Sequence, residues 1–211
     1  MQSEHLESFE EVISHYDGYL DYTSTFPKDK NTSRNVGGGR LRRWYWQKKM
    51  EKMCVKCGKN VKIGKRVEFI ICDNAVLEIG DNVIIQDDVK IAMTKPHPHL
   101  YIGDNAMIGK GAIIAVKNEV SIGACSLIGQ YSFTTDNNHG TLRNNIIRDQ
   151  LSIVKSVHIG YDVWLGSGVR VMPGVNIGNG VVVGGNGVVT KDLPDYAIAV
   201  GVPAKVIKYR E

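Results

Sequence analysis

Residues 157–189 read VHIGYDVWLGSGVRVMPGVNIGNGVVVGGNGVV. Inside this stretch Ile159, Leu165, Val171, Ile177, Val183 and Val189 follow one another at intervals of six. A fixed period decides the architecture before any other feature is weighed. Six matches neither the 3.6 of a helix nor the alternation of a lone strand. It suits a unit of one short strand and one corner. Three such units close a triangular coil of 18 residues with the aliphatic side chain pointing inward. The Gly, Asn or Asp that follows would then make the corner, where unusual backbone angles are needed.

Upstream the same period recurs in triplets: Ile79, Ile85, Ile91; Ile102, Ile108, Ile114; and Ile122, Ile128, Thr134. The triplets restart after 23, 20, 37 and 18 residues, so short insertions separate some coils and one long insertion separates the third triplet from the fourth. Gly80-Asp81-Asn82, Gly103-Asp104-Asn105, Gly178-Asn179-Gly180 and Gly184-Gly185-Asn186 fit corners. Five triplets and a ragged first coil near Ile63 and Phe69, stacked at ~4.8 Å, give a prism about 29 Å long. Each coil buries its face only against its neighbours, so the fold class is an all-β solenoid.

Composition agrees. A chain of 211 residues with 43% hydrophobic and 23% charged residues has the balance of a soluble globular protein. No apolar stretch approaches the ~20 residues that span a bilayer. The acidic start, MQSEHLESFEE, lacks the apolar centre of a secretory signal, and the default expectation is a cytoplasmic location. The net charge of +4 and the absence of a binding motif argue against nucleic acid as a partner. Cys54 and Cys57 form a lone CxxC without two further zinc ligands at sensible spacing, so they read as reduced thiols; Cys125 reads as packing at a corner.

Two regions follow: residues 1–53, an N-terminal cap or extension that is partly helical, and residues 54–211, the solenoid. Within the first, residues 40–52 (RLRRWYWQKKMEK) hold six Lys/Arg and three adjacent aromatics. A capping helix over the open end of the prism accounts for them, since an end coil needs covering. The competing reading is a weak contact with a membrane surface or a lipid-linked substrate.

Chemistry is expected where the repeat breaks. After Thr134 the next coil is delayed by 19 residues, which sets a loop at about 135–156. Long excursions from a solenoid carry function or disorder. This one opens TTDNNHG and places His139 near its base. Imidazole titrates in the range suited to taking a proton from an acceptor hydroxyl or amine, so His139 is the candidate general base here. Asp136, Asn137 and Asn138 either orient the imidazole, bind acceptor hydroxyls, or shape the turn. Arg143, Asn144, Asn145, Arg148 and Asp149 make the rest of the loop polar enough to face a sugar. His97 and His99 lie in the insertion MTKPHPHLY and are expected to project from the prism; His158 is expected on a flat face. No Ser-His-acid or Cys-His arrangement for nucleophilic catalysis is visible.

Two segments, VSIGACSLIGQYSFTTDNNHG and VHIGYDVWLGSGVRVMPGVNIGNGVVVGGNGVVTKDLPDYAIAVGVPAKVIKYR, resemble the hexapeptide-repeat acyltransferases, in particular the galactoside, maltose and polysaccharide O-acetyltransferase branch. The combination of WLGS, VVTKDLP and GVPAKVI carries the resemblance, which covers about residues 54–210. It implies a left-handed parallel β-helix, against the usual right-handed crossover rule. It also implies His139 as general base and acetyl-coenzyme A as donor, with the pantetheine arm along the prism between neighbouring subunits and no metal required.

Position by position, the resemblance places Trp164 near the thioester, Ser167 and Gly185 as hydrogen-bonding groups on the arm, and Thr190 and Lys191 further along it. Lys205 and Lys208 would stand near the nucleotide phosphates, where positive charge is wanted. It further implies a homotrimer with active sites at the subunit seams, and flat faces such as VVVGGNGVV favour prism-to-prism packing. The expected function is therefore acetyl transfer to a hydroxyl or amine of a sugar acceptor, with a lean towards cell-surface polysaccharide synthesis. Two alternative readings compete with it. One is a non-catalytic scaffold. The other is a γ-class carbonic anhydrase-like metalloenzyme, whose HxxxxH pair is not completed because Asn144 stands five residues after His139.

Overall fold

The computed structural model describes residues 56–211 together with Trp46, Lys48 and Lys49. Six coils stack into a three-faced parallel β-helix. The first face carries strands Lys56–Cys57, Val76–Ile79, His99–Ile102, Glu119–Ile122, Val157–Ile159 and Asn176–Ile177. The second carries Lys62–Ile63, Ile84–Ile85, Met107–Ile108, Leu127–Ile128, Trp164–Leu165 and Val182–Val183. The third carries Glu68–Ile71, Lys90–Met93, Ile113–Val116, Phe133–Thr135, Arg170–Val171 and Val188–Val189.

The hexad predicts the register residue by residue. Ile79, Ile102, Ile122, Ile159 and Ile177 are successive cross-strand partners on the first face. Ile63, Ile85, Ile108, Ile128, Leu165 and Val183 form the same column on the second. Phe69, Ile91, Ile114, Thr134, Val171 and Val189 form it on the third. Apart from Phe69 in the first coil, these side chains are all buried and make up the core with a second inward row of Val and Ala, in which Ser126 and Ser132 stand in the fourth coil. Each fully buried Ile, Leu or Val contributes roughly 1.5–3 kcal/mol. A shift of one residue would turn a whole column outward.

The corners differ from expectation in one respect. The glycine directly after the inward aliphatic residue does not adopt a left-handed angle; the residue two places further on does. Asn82 (φ 57°), Asn105 (59°), Cys125 (62°) and Asp162 (54°) occupy that place at the first-to-second corner of successive coils. What excludes a side chain at the preceding glycine is proximity: a Cβ on Gly123 would lie 2.3 Å from the carbonyl oxygen of Gly160 in the next coil. The left-handed corners stabilise one another through ladders. Asn60 donates from Nδ2 to Asn82 Oδ1 and Asn82 to Asn105 Oδ1, each at 3.2 Å. At the second-to-third corner, Arg66 donates to both oxygens of Asp88 and holds that carboxyl below the usual carboxylate range.

All the insertions fall at the third-to-first corner, which therefore becomes the irregular edge of the prism. Residues 94–98, 117–118 and 136–156 leave the hexad there. At the C-terminal end Ala197–Val200 joins the second face in parallel, and Lys205–Tyr209 folds back against it antiparallel, a hairpin the repeat did not predict. Arg210 anchors this hairpin through Asp162 Oδ2 (2.9 Å) and the Gly180 carbonyl (3.0 Å).

Most of the N-terminal segment lies outside the described residues, as does Cys54. Of residues 40–52, Trp46, Lys48 and Lys49 are helical, and the Trp46 ring lies 5.6 Å from that of Phe69 in the first coil. No helix among the described residues is long and apolar enough to cross a membrane.

Candidate active site

The excursion between the fourth and fifth coils is a closed structure. Its ends form a short antiparallel pair, Asn137–Asn138 with Ile153–Val154, in which Asn138 faces Ile153. A 3-10 turn at Ile147–Asp149 reverses the chain. Gln150 fixes the tip from within: its Oε1 accepts the Leu142 amide at 2.8 Å, and its Nε2 donates to the carbonyls of Leu142 (3.1 Å) and Asn145 (3.0 Å).

His139 is the first residue past this pair and is exposed. With Asn138, Thr141, Ile153, Lys155 and Pro173 it lines an open recess of about 380 Å³. Two polar side chains, one cation, two apolar surfaces and one imidazole thus face a common space. The stem of Lys155 lies over Gly174, where a Cβ would meet the Lys155 Cδ at 3.0 Å and where φ is +85°, so a glycine is required there. Ile153, Lys155 and Pro173 had no signal in the sequence, because they come from the returning limb of the loop and from the next coil.

The three residues before His139 behave differently from one another. Asn138 is exposed and lines the recess. Asn137 turns inward and donates to Thr135 Oγ1 and Asp136 Oδ1, both at 3.0 Å. Asp136 is fully buried. Its carboxylate accepts the backbone N–H of Lys117 (2.9 Å to Oδ1), Asn118 (2.6 Å to Oδ2) and Glu119 (2.8 Å to Oδ2). The expectation that Asp136 meets an acceptor is corrected on this ground: burial and four protein donors leave it shaping the base of the loop. Around the same corner Lys117 Nζ donates to Ser152 Oγ (2.6 Å), Asn118 Nδ2 to Ser156 Oγ (2.8 Å), and the Lys155 amide to the Asp136 carbonyl (2.8 Å).

The positions expected to hold the donor are all exposed and divide between the second face and the two edges that flank the third face. Trp164 is 54% exposed on the second face. Ser167 and Gly185 follow one another at the second-to-third corner, where the Asn186 amide reaches the Ser167 carbonyl at 2.8 Å. Thr190 and Lys191 lie at the third-to-first corner, one coil beyond Met172 and Pro173, and so continue the edge that carries His139. Lys205 and Lys208 stand on the terminal antiparallel strand of the second face. A single subunit therefore brings His139 to the edge of Thr190 and Lys191 but not to Trp164, Ser167 and Gly185.

The remaining histidines are placed as follows. His97 is exposed and held by the Asn74 amide at 2.9 Å, and His99 sits 3.1 Å from Glu78 on the first face. His158 is more than a flat-face residue: its Nδ1 lies 2.8 Å from Ser121 Oγ, a serine–histidine contact that sequence spacing concealed. Its partner on the other side is Asn176, so no carboxylate completes a triad in that column. Among the described residues, no group of three His, Cys, Asp or Glu could hold a metal ion.

No family model matches the chain. Individual relatives do. WbbJ of Escherichia coli K12, named as a lipopolysaccharide biosynthesis O-acetyl transferase, is 42% identical over 117 residues, 52% of this chain and 60% of that protein. WcaF of the same strain, named as a colanic acid biosynthesis acetyltransferase, is 38% identical over 133 residues, 63% of this chain and 69% of that protein. The chain thus spans less than two thirds of WbbJ's length. Among solved structures, a variant of AntD, an N-acyltransferase from Bacillus cereus in complex with dTDP-4-amino-4,6-dideoxyglucose and coenzyme A, superposes with a TM-score of 0.68. It is 25% identical, over 78% of this chain and 89% of that one. With the coil, the register and these relatives together, the chain belongs to the hexapeptide-repeat acetyltransferase family.

Proposed function

We propose that this protein transfers an acetyl group from acetyl-coenzyme A to a hydroxyl or amine of a sugar, in the synthesis of a cell-surface polysaccharide, with His139 as general base. One observation carries the proposal: His139 stands in a recess at the longest break in the hexad among the described residues, on the same edge as Thr190 and Lys191. The names of WbbJ and WcaF, and the sugar nucleotide and coenzyme A in the AntD complex, support the same class of reaction here.

The chemistry needs few groups. The acceptor oxygen or nitrogen attacks the thioester carbonyl while its proton passes to the imidazole of His139. The carbonyl oxygen takes up negative charge, which a backbone N–H stabilises; such a donor is commonly worth the largest single share of the rate. The C–S bond then breaks, and the imidazolium returns its proton to the coenzyme A sulfur, which leaves as the thiol. In the recess, Ile153 and Pro173 offer an apolar floor for a sugar ring, Asn138 and Thr141 offer hydrogen bonds, and Lys155 offers charge.

The donor would touch both edges, so the working unit is an assembly, and a homotrimer is the form proposed. The outward row of the second face favours it. Ile84, Met107, Leu127, Trp164, Val182 and Ile198 are partners in register from coil to coil, which leaves an unbroken apolar stripe along that face. Stripes of this kind mark association surfaces.

The test is thioester consumption by purified protein with acetyl-coenzyme A and a panel of sugars and amino sugars, with free thiol as the readout. Acceptor-dependent release that falls by about 10²–10⁴ in His139→Ala is expected. Release that persists undiminished in the variant, or no release with any acceptor, would sink the proposal.

A further inference from the structure

Asp136 combines two properties that a loop residue rarely has. It is fully buried, and its carboxylate accepts three consecutive backbone N–H groups, those of Lys117, Asn118 and Glu119. Consecutive amides converging on one carboxylate form an anion-binding concavity, here filled by the protein's own side chain. Hydrogen bonds from N–H to a charged acceptor are about twice as strong as neutral ones, and the buried carboxylate would be costly without them.

The location gives this arrangement its meaning. Residues 117–119 form the corner of the coil below, which is rigid because strands Ile113–Val116 and Glu119–Ile122 run into and out of it. Asp136 is the residue at which the chain leaves the hexad. Its carbonyl accepts the Lys155 amide from the returning limb, and its Oδ1 accepts Asn137 Nδ2. One residue therefore ties both limbs of the excursion to the corner beneath, three positions before His139 and at the backbone of Lys155, which lines the same recess.

We infer that Asp136 is a positioning residue: it fixes where His139 stands by clamping the loop's two limbs to the amides of residues 117–119. This rests on His139 being the base. Displacement of a base by about 1 Å can cost on the order of 10²-fold in rate. The amide of an asparagine at 136 would set a donor against backbone donors and release part of the clamp while keeping the volume.

The experiment uses the full chain and three variants, Asp136→Asn, His139→Ala and the double variant. Expected is a kcat lowered 10- to 100-fold in Asp136→Asn, with the coenzyme A dissociation constant by calorimetry within twofold of the parent. The double variant should be no slower than His139→Ala alone, since groups that act as a unit are not additive. Additive losses in the double variant would mean that Asp136 acts independently of His139 and would overturn the inference. So would an unimpaired Asp136→Asn beside a slow His139→Ala, which would leave the base assignment intact; an unimpaired His139→Ala would instead remove the base assignment itself. Amide hydrogen exchange in the unmodified protein gives an answer even if Asp136→Asn does not fold. The amides of Lys117, Asn118 and Glu119 should be protected and should open together with that of Lys155; free exchange at those three amides overturns the clamp.

Discussion

Gly123 and Gly160 meet backbone to backbone on adjacent coils: a Cβ on Gly123 would stand 2.3 Å from the Gly160 carbonyl oxygen, and the Gly123 amide already reaches the Ile159 carbonyl at 2.8 Å. The spacing of the coils is thus written into the glycines that follow the inward aliphatic residues. Gly123→Ala should push the fourth and fifth coils apart and cost about 1–3 kcal/mol, the size typical of forced overpacking. Chemical denaturation would record a lowered midpoint; an unchanged midpoint would mean the coils can separate freely.

Thr134 is the one hydroxyl in the inward columns of the complete triplets. It is buried between Ile114 and Val171, its partners in register on the third face. Thr134→Val restores the aliphatic column and removes a buried hydroxyl, so the melting temperature should rise, by the equivalent of about 1 kcal/mol. A fall would show that the hydroxyl is needed at the mouth of the loop.

Lys155 brings positive charge to the recess while its stem is held over Gly174. Lys155→Met keeps the stem and removes the charge. Acceptor KM should rise roughly 2- to 5-fold, with KM for acetyl-coenzyme A unchanged, consistent with the few tenths to ~1 kcal/mol of an exposed charge contact. Steady-state kinetics with each substrate varied in turn separates the two.

Ile84 belongs to the apolar stripe of the second face but lies on the second coil, away from the expected donor positions. Ile84→Glu should weaken the assembly without disturbing the inward core. Sedimentation should show the parent at three chains and the variant shifted towards one, with activity lost in proportion to dissociation. A parent that sediments as a single chain would exclude the trimer.

How far the sequence could be followed depends on the range of the interactions involved. The columns Ile79 to Ile177, Ile85 to Val183 and Ile91 to Val189 were legible because each coil repeats one local rule, and a period of six fixes which residues meet. His139 stands out for the same reason in reverse, at the place where the rule is suspended. At the glycines that directly follow the inward aliphatic residues, closeness of the next coil excludes a side chain, and that closeness exists only once coils stack; at Gly180 (φ 65°) the left-handed angle expected of a corner does hold.

By itself, then, the sequence determined the solenoid, its register and the place where chemistry is expected, since all three follow from periodicity and from where periodicity fails; the family resemblance rests instead on the motifs WLGS, VVTKDLP and GVPAKVI. Only the tertiary structure decided the fates of Asp136, Asn137 and Asn138, which look alike in sequence. One is sealed against three amides from 17 to 19 residues earlier, one braces it, and one faces the recess. The same holds for Ser121 with His158, 37 residues apart, and for Lys155 and Pro173 beside His139. These contacts join neighbouring coils across insertions of unequal length, and no local spacing encodes a distance that depends on how a loop closes.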